Sequence, residues 1–232
     1  MTVLPIYDLT PFTMQDFPDH TACIIWMSGC NMRCSYCHNP QIIRAGAGNM
    51  QVKDIYRFLE KRQDLLDGVV LSGGEATLYR DLYPMAKKIK KMGYKIKLDT
   101  NGSRPEIIKA FLKDKLVDYI ALDYKAPKDK FLDLTKTKVF QSFSETLSML
   151  CKQKVVPFEV RTTIHTDLMD EYDVNDIITD LDEHGYQGIY YIQNYCDAND
   201  RDILEDLPPQ THIFDPSLIE QNVGFQIDYR NF

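Results

Sequence analysis

A chain of 232 residues that is 44% hydrophobic and 26% charged has the apolar content for a sizeable core, which excludes a disordered or fibrous polypeptide. Its formal charge of −7 argues against a nonspecific grip on a nucleic-acid backbone and leaves room only for a local basic patch. No Lys or Arg precedes Arg33, and the one early apolar run, Ala22 to Met27, is too short for a signal-peptide core or a membrane span, so the expectation is a cytoplasmic protein.

Apolar runs of strand length alternate with amphipathic stretches of helix length. Ala22–Met27 predicts a first strand, Val52–Arg62 a helix with Ile55, Phe58 and Leu59 on one face, Gly68–Leu71 a short buried strand, and Leu82–Met92 a helix that stops at Gly93. Tyr94–Asp99 follows as the third strand, RPEIIKAFLKD as a helix with Pro105 at its start, and Val117–Asp123 as the fourth strand. After a looser segment come a helix at Val139–Lys152, a fifth strand at Pro157–Thr163, a helix at Glu171–His184 and a sixth strand at Gly188–Gln193. Six β-then-α units require a mostly parallel sheet, because each helix returns the chain to start the next strand beside the last. Six are too few for the eight-unit closed barrel. The predicted fold class is therefore α/β, an open partial (β/α)6 barrel with its chemistry at the C-terminal ends of the strands. No linker-like stretch divides the sequence, so the reading is one domain over residues 1–232, with a core from about 20 to about 195 and a C-terminal extension, 196–232, packing on the barrel.

The loop after the first strand, MSGCNMRCSYCHNPQI, carries Cys30, Cys34 and Cys37, while Cys23, Cys151 and Cys196 are scattered. In a reducing compartment cysteines serve as ligands or plain thiols rather than as disulfides. Cys23, inside an apolar run, reads as a small buried side chain. Taken alone, CSYCH fits the haem-attachment pattern C-x-x-C-H, but that product needs export. A structural zinc ion wants four protein ligands, and His38, directly after Cys37, is poorly placed to reach the same ion. Three thiolates suit a four-iron cluster with one iron left open for a substrate, since soft sulfur ligands select iron–sulfur assemblies.

Further polar groups stand at the ends of the predicted strands. VVLSGGEATL places Gly73, Gly74 and Glu75 after the second strand, where glycines allow close backbone approach and a carboxylate can accept from an ammonium. IKLDTNGS ends the third strand with Asp99 and Thr100, and YIALDYKAP ends the fourth with Asp123 and Lys125. FEVRTTIH sets Arg161 on the fifth strand, and YYIQNY closes the sixth with Gln193 and Asn194. Lys87, Lys88, Lys90 and Lys91 are a solvated helix face.

C-x3-C-x2-C with an aromatic, Tyr36, before the last cysteine resembles the signature of the radical S-adenosylmethionine (SAM) superfamily. The G-G-E, D-T and D-x-K motifs follow in the order of its glycyl-radical-enzyme activating branch, typified by pyruvate formate-lyase activating enzyme. From FTMQDFPDH to the sixth strand the chain most resembles the short activating proteins assigned to anaerobic ribonucleoside-triphosphate reductase. The resemblance implies a 4Fe–4S cluster on Cys30, Cys34 and Cys37. Its open iron would chelate the amino and carboxylate groups of SAM, and its electron would cleave the sulfonium to a 5′-deoxyadenosyl radical that takes the α-hydrogen of a glycine in a partner enzyme.

The same resemblance implies that Tyr36, Gly73, Gly74, Glu75, Asp99, Thr100, Asp123, Lys125, Arg161 and Gln193 surround the cofactor. Glu75 would meet the methionine ammonium and Lys125 the carboxylate, with Arg161 reaching the ribose and carboxylate region. Asp99, Thr100 and Asp123, with the carbonyl of Ala121, would hold a sodium or potassium ion. His165, Gln193 and Asn194 are candidates for the adenine or substrate end, or for ordinary loop roles. The implied partners are a glycyl-radical enzyme, the class III anaerobic ribonucleotide reductase, and a flavodoxin or ferredoxin-type electron donor, with no nucleic acid and no membrane. No second cysteine set follows Cys37, so auxiliary clusters are not expected. The alternative is a small-molecule radical SAM enzyme resembling 7-carboxy-7-deazaguanine synthase. A non-enzymatic metal or redox module has no need of the groups at Glu75 and Lys125.

Overall fold

The computed structural model of the chain describes residues 4–45, 48–196, 207 and 209–232. Its strands are β1 (Ile6–Thr13), β2 (Ala22–Met27), β3 (Gly68–Gly73), β4 (Lys95–Thr100), β5 (Tyr119–Asp123), β6 (Phe158–Ile164), β7 (Ile189–Asn194) and β8 (Gln226–Arg230), and they follow chain order in an open sheet. The helices are α1 (Pro40–Arg44), α2 (Val52–Glu60), α3 (Leu82–Lys91), α4 (Pro105–Lys113), α5 (Phe131–Thr135), α6 (Phe140–Lys152) and α7 (Glu171–Glu183). Strands β2, β3 and β4 pair in parallel, as do β6, β7 and β8, whereas β1 runs antiparallel to β2. This is the mostly parallel α/β fold that the sequence predicts. No helix among the described residues is long and apolar enough to cross a membrane.

All six predicted strands are present, with ends that move by no more than two residues. The sheet gains a strand at each edge. In β1, IYDLTPFT, the Pro11 nitrogen carries no hydrogen for the ladder, which weakens any reading as a strand. The chain accommodates it with a register irregularity between Thr10 and Thr13. In β8 only Ile227 and Tyr229 lie among polar residues, too short an alternation to stand out. Within the expected C-terminal extension, this segment pairs with β7, Ile227 beside Tyr190 and Tyr229 beside Ile192. Residues 197–206 and 208 of that extension lie outside the described residues.

The chain divides into two compact units. The first comprises Met1–Asn31, Asn39–Thr100 and Arg104–Ala121, and the second Met32–His38, Asn101–Ser103 and Leu122–Phe232. In the first, β2 and β3 are buried on both faces, as near-continuous apolar strands of a parallel sheet must be. Ala22, Ile24 and Val70 pack with Phe17, Trp26 and Tyr119. Helix α3 buries Leu82, Met85, Ala86 and Ile89, the i, i+3, i+4, i+7 stripe that marks its inner face. Pro105 occupies the first turn of α4, where its missing N–H costs no helical bond.

In the second unit β6 alternates: Val160, Thr162 and Ile164 are buried while Arg161 and Thr163 are half-exposed. Helix α6 buries Phe143, Leu147 and Leu150, and α7 buries Val174, Ile177, Ile178 and Leu181. Rings of Tyr124 and Phe143 pack at 4.5 Å and those of Phe131 and Phe140 at 5.2 Å, cementing the segment after β5. Asp170 caps α7 by accepting from the amides of Tyr172 and Asp173, and Asp173 returns a bond to the Asp170 amide.

Candidate functional site

In the first unit, the turn after β2 brings the chain to Gly29 in a left-handed conformation, φ +81°, just before Cys30. Three bonds hold this turn: the Gly29 amide donates to the Ile42 carbonyl (2.9 Å), the Tyr79 hydroxyl donates to the Ser28 carbonyl (2.5 Å), and the Glu75 amide donates to the Gly29 carbonyl (2.9 Å). The last of these explains the paired glycines. A Cβ on Gly74 would stand 1.9 Å from the Gly29 carbonyl oxygen, and one on Gly73, whose φ is +119°, 2.4 Å from Met27 backbone. Only glycine lets the end of β3 come this near the cysteine turn.

Glu75 is buried, and its Oε1 accepts from the Thr77 amide (3.0 Å), the Thr77 hydroxyl (2.5 Å) and the Thr100 hydroxyl (2.9 Å). Its neighbour in the same unit, Asp99, is held differently. The Ser72 hydroxyl donates to Oδ2 (3.0 Å), and Lys97, a buried lysine, pairs with Oδ1 (2.7 Å). Lys97, Thr77 and Ser72 are site residues that sequence reasoning missed. Lys97 was detectable as a charge in an apolar strand two positions before Asp99, which places both on one face. Thr77 shows only as a hydroxyl residue two places past a carboxylate, a common local turn.

In the second unit, Cys34 and Cys37 close a turn in which the Cys37 amide donates to the Cys34 carbonyl (3.0 Å). Burial pushes the Cys34 thiol up to about 11, against the opposing field of Lys125. Tyr36, also buried, donates from its hydroxyl to the Lys125 carbonyl (2.7 Å), tying the cysteine turn to the residues just past β5. Asp123 receives a cation on each oxygen: Arg161 reaches Oδ1 through Nε (2.9 Å) and a terminal nitrogen (2.8 Å), and Lys125 reaches Oδ2 (3.1 Å). Burial would raise the Asp123 carboxyl, but the guanidinium and ammonium overcome it and hold the group at about 2. Burial likewise lowers Lys125, and Asp123 more than reverses this, so the ammonium stays charged.

The alternating charges continue outward. Buried Glu159 lies 3.8 Å from Arg161, and Arg230 of β8 lies 3.9 Å from Glu159 while stacking 3.4 Å above the Tyr191 ring. Gln193 is half-buried on β7, in register with Arg230. His165 is fully buried against the ring of Tyr195, which also stacks at 4.7 Å on His38, the residue after Cys37. Asn194 accepts from Gln210 (3.2 Å). Ala121 lies within β5, buried, where its carbonyl belongs to the strand.

Six of the predicted residues thus belong to the first unit: Cys30, Gly73, Gly74, Glu75, Asp99 and Thr100. Cys34, Cys37, Tyr36, Asp123, Lys125, Arg161 and Gln193 belong to the second. All three cysteines of the motif are free of disulfides. Among the described residues no group of three or more His, Cys, Asp or Glu forms a ready-made metal set, so the thiols qualify as ligands by their chemistry and their spacing along the chain. Soft sulfur donors fit an iron–sulfur cluster, and a carboxylate with an ammonium fits the two charged groups of an amino acid.

Residues 24–183 match the radical SAM superfamily. A Methanocaldococcus jannaschii protein named as a glycyl-radical enzyme activating enzyme is 35% identical over 180 residues, covering 74% of this chain and 74% of its own. A 7-carboxy-7-deazaguanine synthase of Methanopyrus kandleri is 31% identical over 121 residues, covering 43% of this chain and 47% of its own. Among solved structures, Streptococcus suis SuiB bound to S-adenosylmethionine aligns with a TM-score of 0.66 at 14% identity, over 88% of this chain and 48% of that one, a likeness of fold. The chain spans about half the length of that structure.

Proposed function

We propose, because the chain belongs to the radical SAM superfamily, that it is a glycyl-radical-enzyme activating enzyme whose substrate is a partner polypeptide. The observation that carries this reading is the length of the match. The relative named for activation of a glycyl-radical enzyme is similar along 74% of both chains, whereas the deazaguanine synthase is similar along less than half of either. The family implies a 4Fe–4S cluster and SAM, and a bound cluster supplies the electron that cleaves the sulfonium. Cys30, Cys34 and Cys37 are the residues to hold it.

This chain's own residues then bind and orient. Glu75 accepts the methionine ammonium, and Lys125 pairs with the methionine carboxylate. Lys125 stands beside Asp123, whose carboxylate keeps the ammonium charged for an anionic ligand. Tyr36 keeps the turn of Cys34 and Cys37 against the backbone of Lys125, so these two thiols and the ammonium share one framework. Of the expected sodium or potassium ligands, Asp99 pairs with Lys97 in the first unit, and Asp123 pairs with Arg161 and Lys125 in the second. The partner proposed is the class III anaerobic ribonucleotide reductase, with a flavodoxin or ferredoxin-type donor, in the cytoplasm, and the whole chain acting as one catalytic domain.

The test is anaerobic electron paramagnetic resonance on the reconstituted, reduced protein with SAM and the class III reductase of the same genome. A glycyl-radical doublet on the reductase is expected. Accumulation of 5′-deoxyadenosine without the doublet would remove the reductase as partner and keep the radical chemistry; absence of both would overturn the reading.

A further inference from the structure

We propose that Thr77 and Thr100 are positioning residues for SAM, which they serve by holding the carboxylate of Glu75 through Oε1; the inference rests on the reading of Glu75 as acceptor for the methionine ammonium. Glu75 is 1% exposed, Thr77 1% and Thr100 2%. A carboxylate so far from water must be satisfied by the protein, and three donors converge on one of its oxygens: the Thr77 amide at 3.0 Å, the Thr77 hydroxyl at 2.5 Å and the Thr100 hydroxyl at 2.9 Å. These donors are neutral. Hydroxyl and amide hydrogens orient a carboxylate without bringing a formal charge of their own.

The backbone is clamped as firmly as the side chain. The Glu75 amide donates to the carbonyl of Gly29, the residue before Cys30, and the Gly74 amide donates to the carbonyl of Met27. Thr77 and Thr100 therefore set the last rotations of a carboxylate whose main chain is tied to the cysteine turn. This gives Thr100 a task distinct from that of its neighbour. Successive residues of a strand project to opposite faces, and here Asp99 takes Ser72 and Lys97 as partners while Thr100 donates to Glu75. Thr77 has no place in the expected cation set at all, which makes it the clean probe of the positioning role.

The experiment measures equilibrium binding of SAM and of 5′-methylthioadenosine, which lacks the amino-acid portion, to the cluster-reconstituted protein. Thr77→Val and Thr100→Val should each weaken SAM roughly tenfold and leave methylthioadenosine within about twofold. Thr77→Ser and Thr100→Ser, which keep the hydroxyl, should restore SAM binding. Neither valine substitution should weaken SAM further in a Glu75→Gln background, and the losses should be equal in sodium, potassium or choline chloride. If Glu75→Gln weakens SAM but Thr77→Val does not, the positioning role is overturned while the reading of Glu75 stands. If Glu75→Gln has no effect, that reading itself falls. A methylthioadenosine loss as large as the SAM loss marks general distortion and overturns the proposal. A Thr100→Val loss confined to sodium and potassium salts would make Thr100 a cation ligand and overturn its half.

Discussion

Glu75, two residues past β3, and Asp123, the last residue of β5, are both acids at the C-terminal ends of strands, and they are held in opposite ways. Hydroxyl and amide hydrogens converge on Glu75, whereas Asp123 takes a guanidinium on one oxygen and an ammonium on the other. Neutral donors immobilise a carboxylate and preserve its charge; cations immobilise it and consume that charge. The first arrangement suits a group that must itself receive a cation. The second suits a scaffold that keeps two cations in place for an anion.

The comparison concerns a cofactor site only if the cysteines carry a cluster, so the largest expected effect belongs to them. Cys34→Ala should lose bound iron and sulfide to background, read by metal analysis and visible absorption, while the unligated chain keeps its fold. A variant that retains a full cluster would remove Cys34 from the ligand set.

Next in size is the contrast between the two acids in folding stability. Asp123→Asn removes the carboxylate that Arg161 and Lys125 share and should cost about 2–4 kcal/mol. Glu75→Gln keeps an oxygen that can accept from the threonines and should cost about 1 kcal/mol. Urea denaturation of both variants measures this; equal losses would break the comparison.

Acid sharpens it further. The folded Asp123 carboxyl sits at about 2, below its ordinary 3.8, so its contribution is fully present above about pH 4 and drains away as the pH falls toward 2. The difference corresponds to about 2 kcal/mol. Stability of the wild type should fall more steeply than that of Asp123→Asn across that window, and parallel curves would mean that the cations do not hold the acid. The smallest effect is that of Tyr36→Phe, which takes the phenol donor from the Lys125 carbonyl at a cost of about 1 kcal/mol. Thermal unfolding of the variant would show it as a modest drop, and no drop would mean that another donor replaces the phenol.

Much of the fold was legible because parallel strands buried on both faces are written as unbroken apolar runs. CIIW and GVVL stand out for this reason, and the helices announce themselves by their stripes and by punctuation such as Gly93 and Pro105. β1 and β8 escaped notice because an edge strand borrows its hydrogen bonds from a neighbour and needs little apolar content of its own. Of the candidate site, residue type and order along the chain were visible, since a thiol, a paired glycine or a strand-end acid is recognisable wherever it falls. Who holds whom was not. Nothing local tells that Thr100 turns to Glu75 while Asp99 turns to Ser72, or that Arg161 joins Lys125 on Asp123.

The sequence by itself determined the α/β class, the strand order of the parallel repeat, the cysteine spacing and the glycines at 73 and 74, because periodicity, spacing and the lack of a Cβ act through neighbours in the chain. Only the tertiary structure decided the two edge strands and the distant partners of the acids, because those depend on contacts between residues far apart in sequence. Asp123 meets Arg161 from 38 positions away, and Thr100 meets Glu75 from 25. Whether a carboxylate keeps its charge for a ligand or shares it with a protein cation is settled by such contacts, and no short motif contains them.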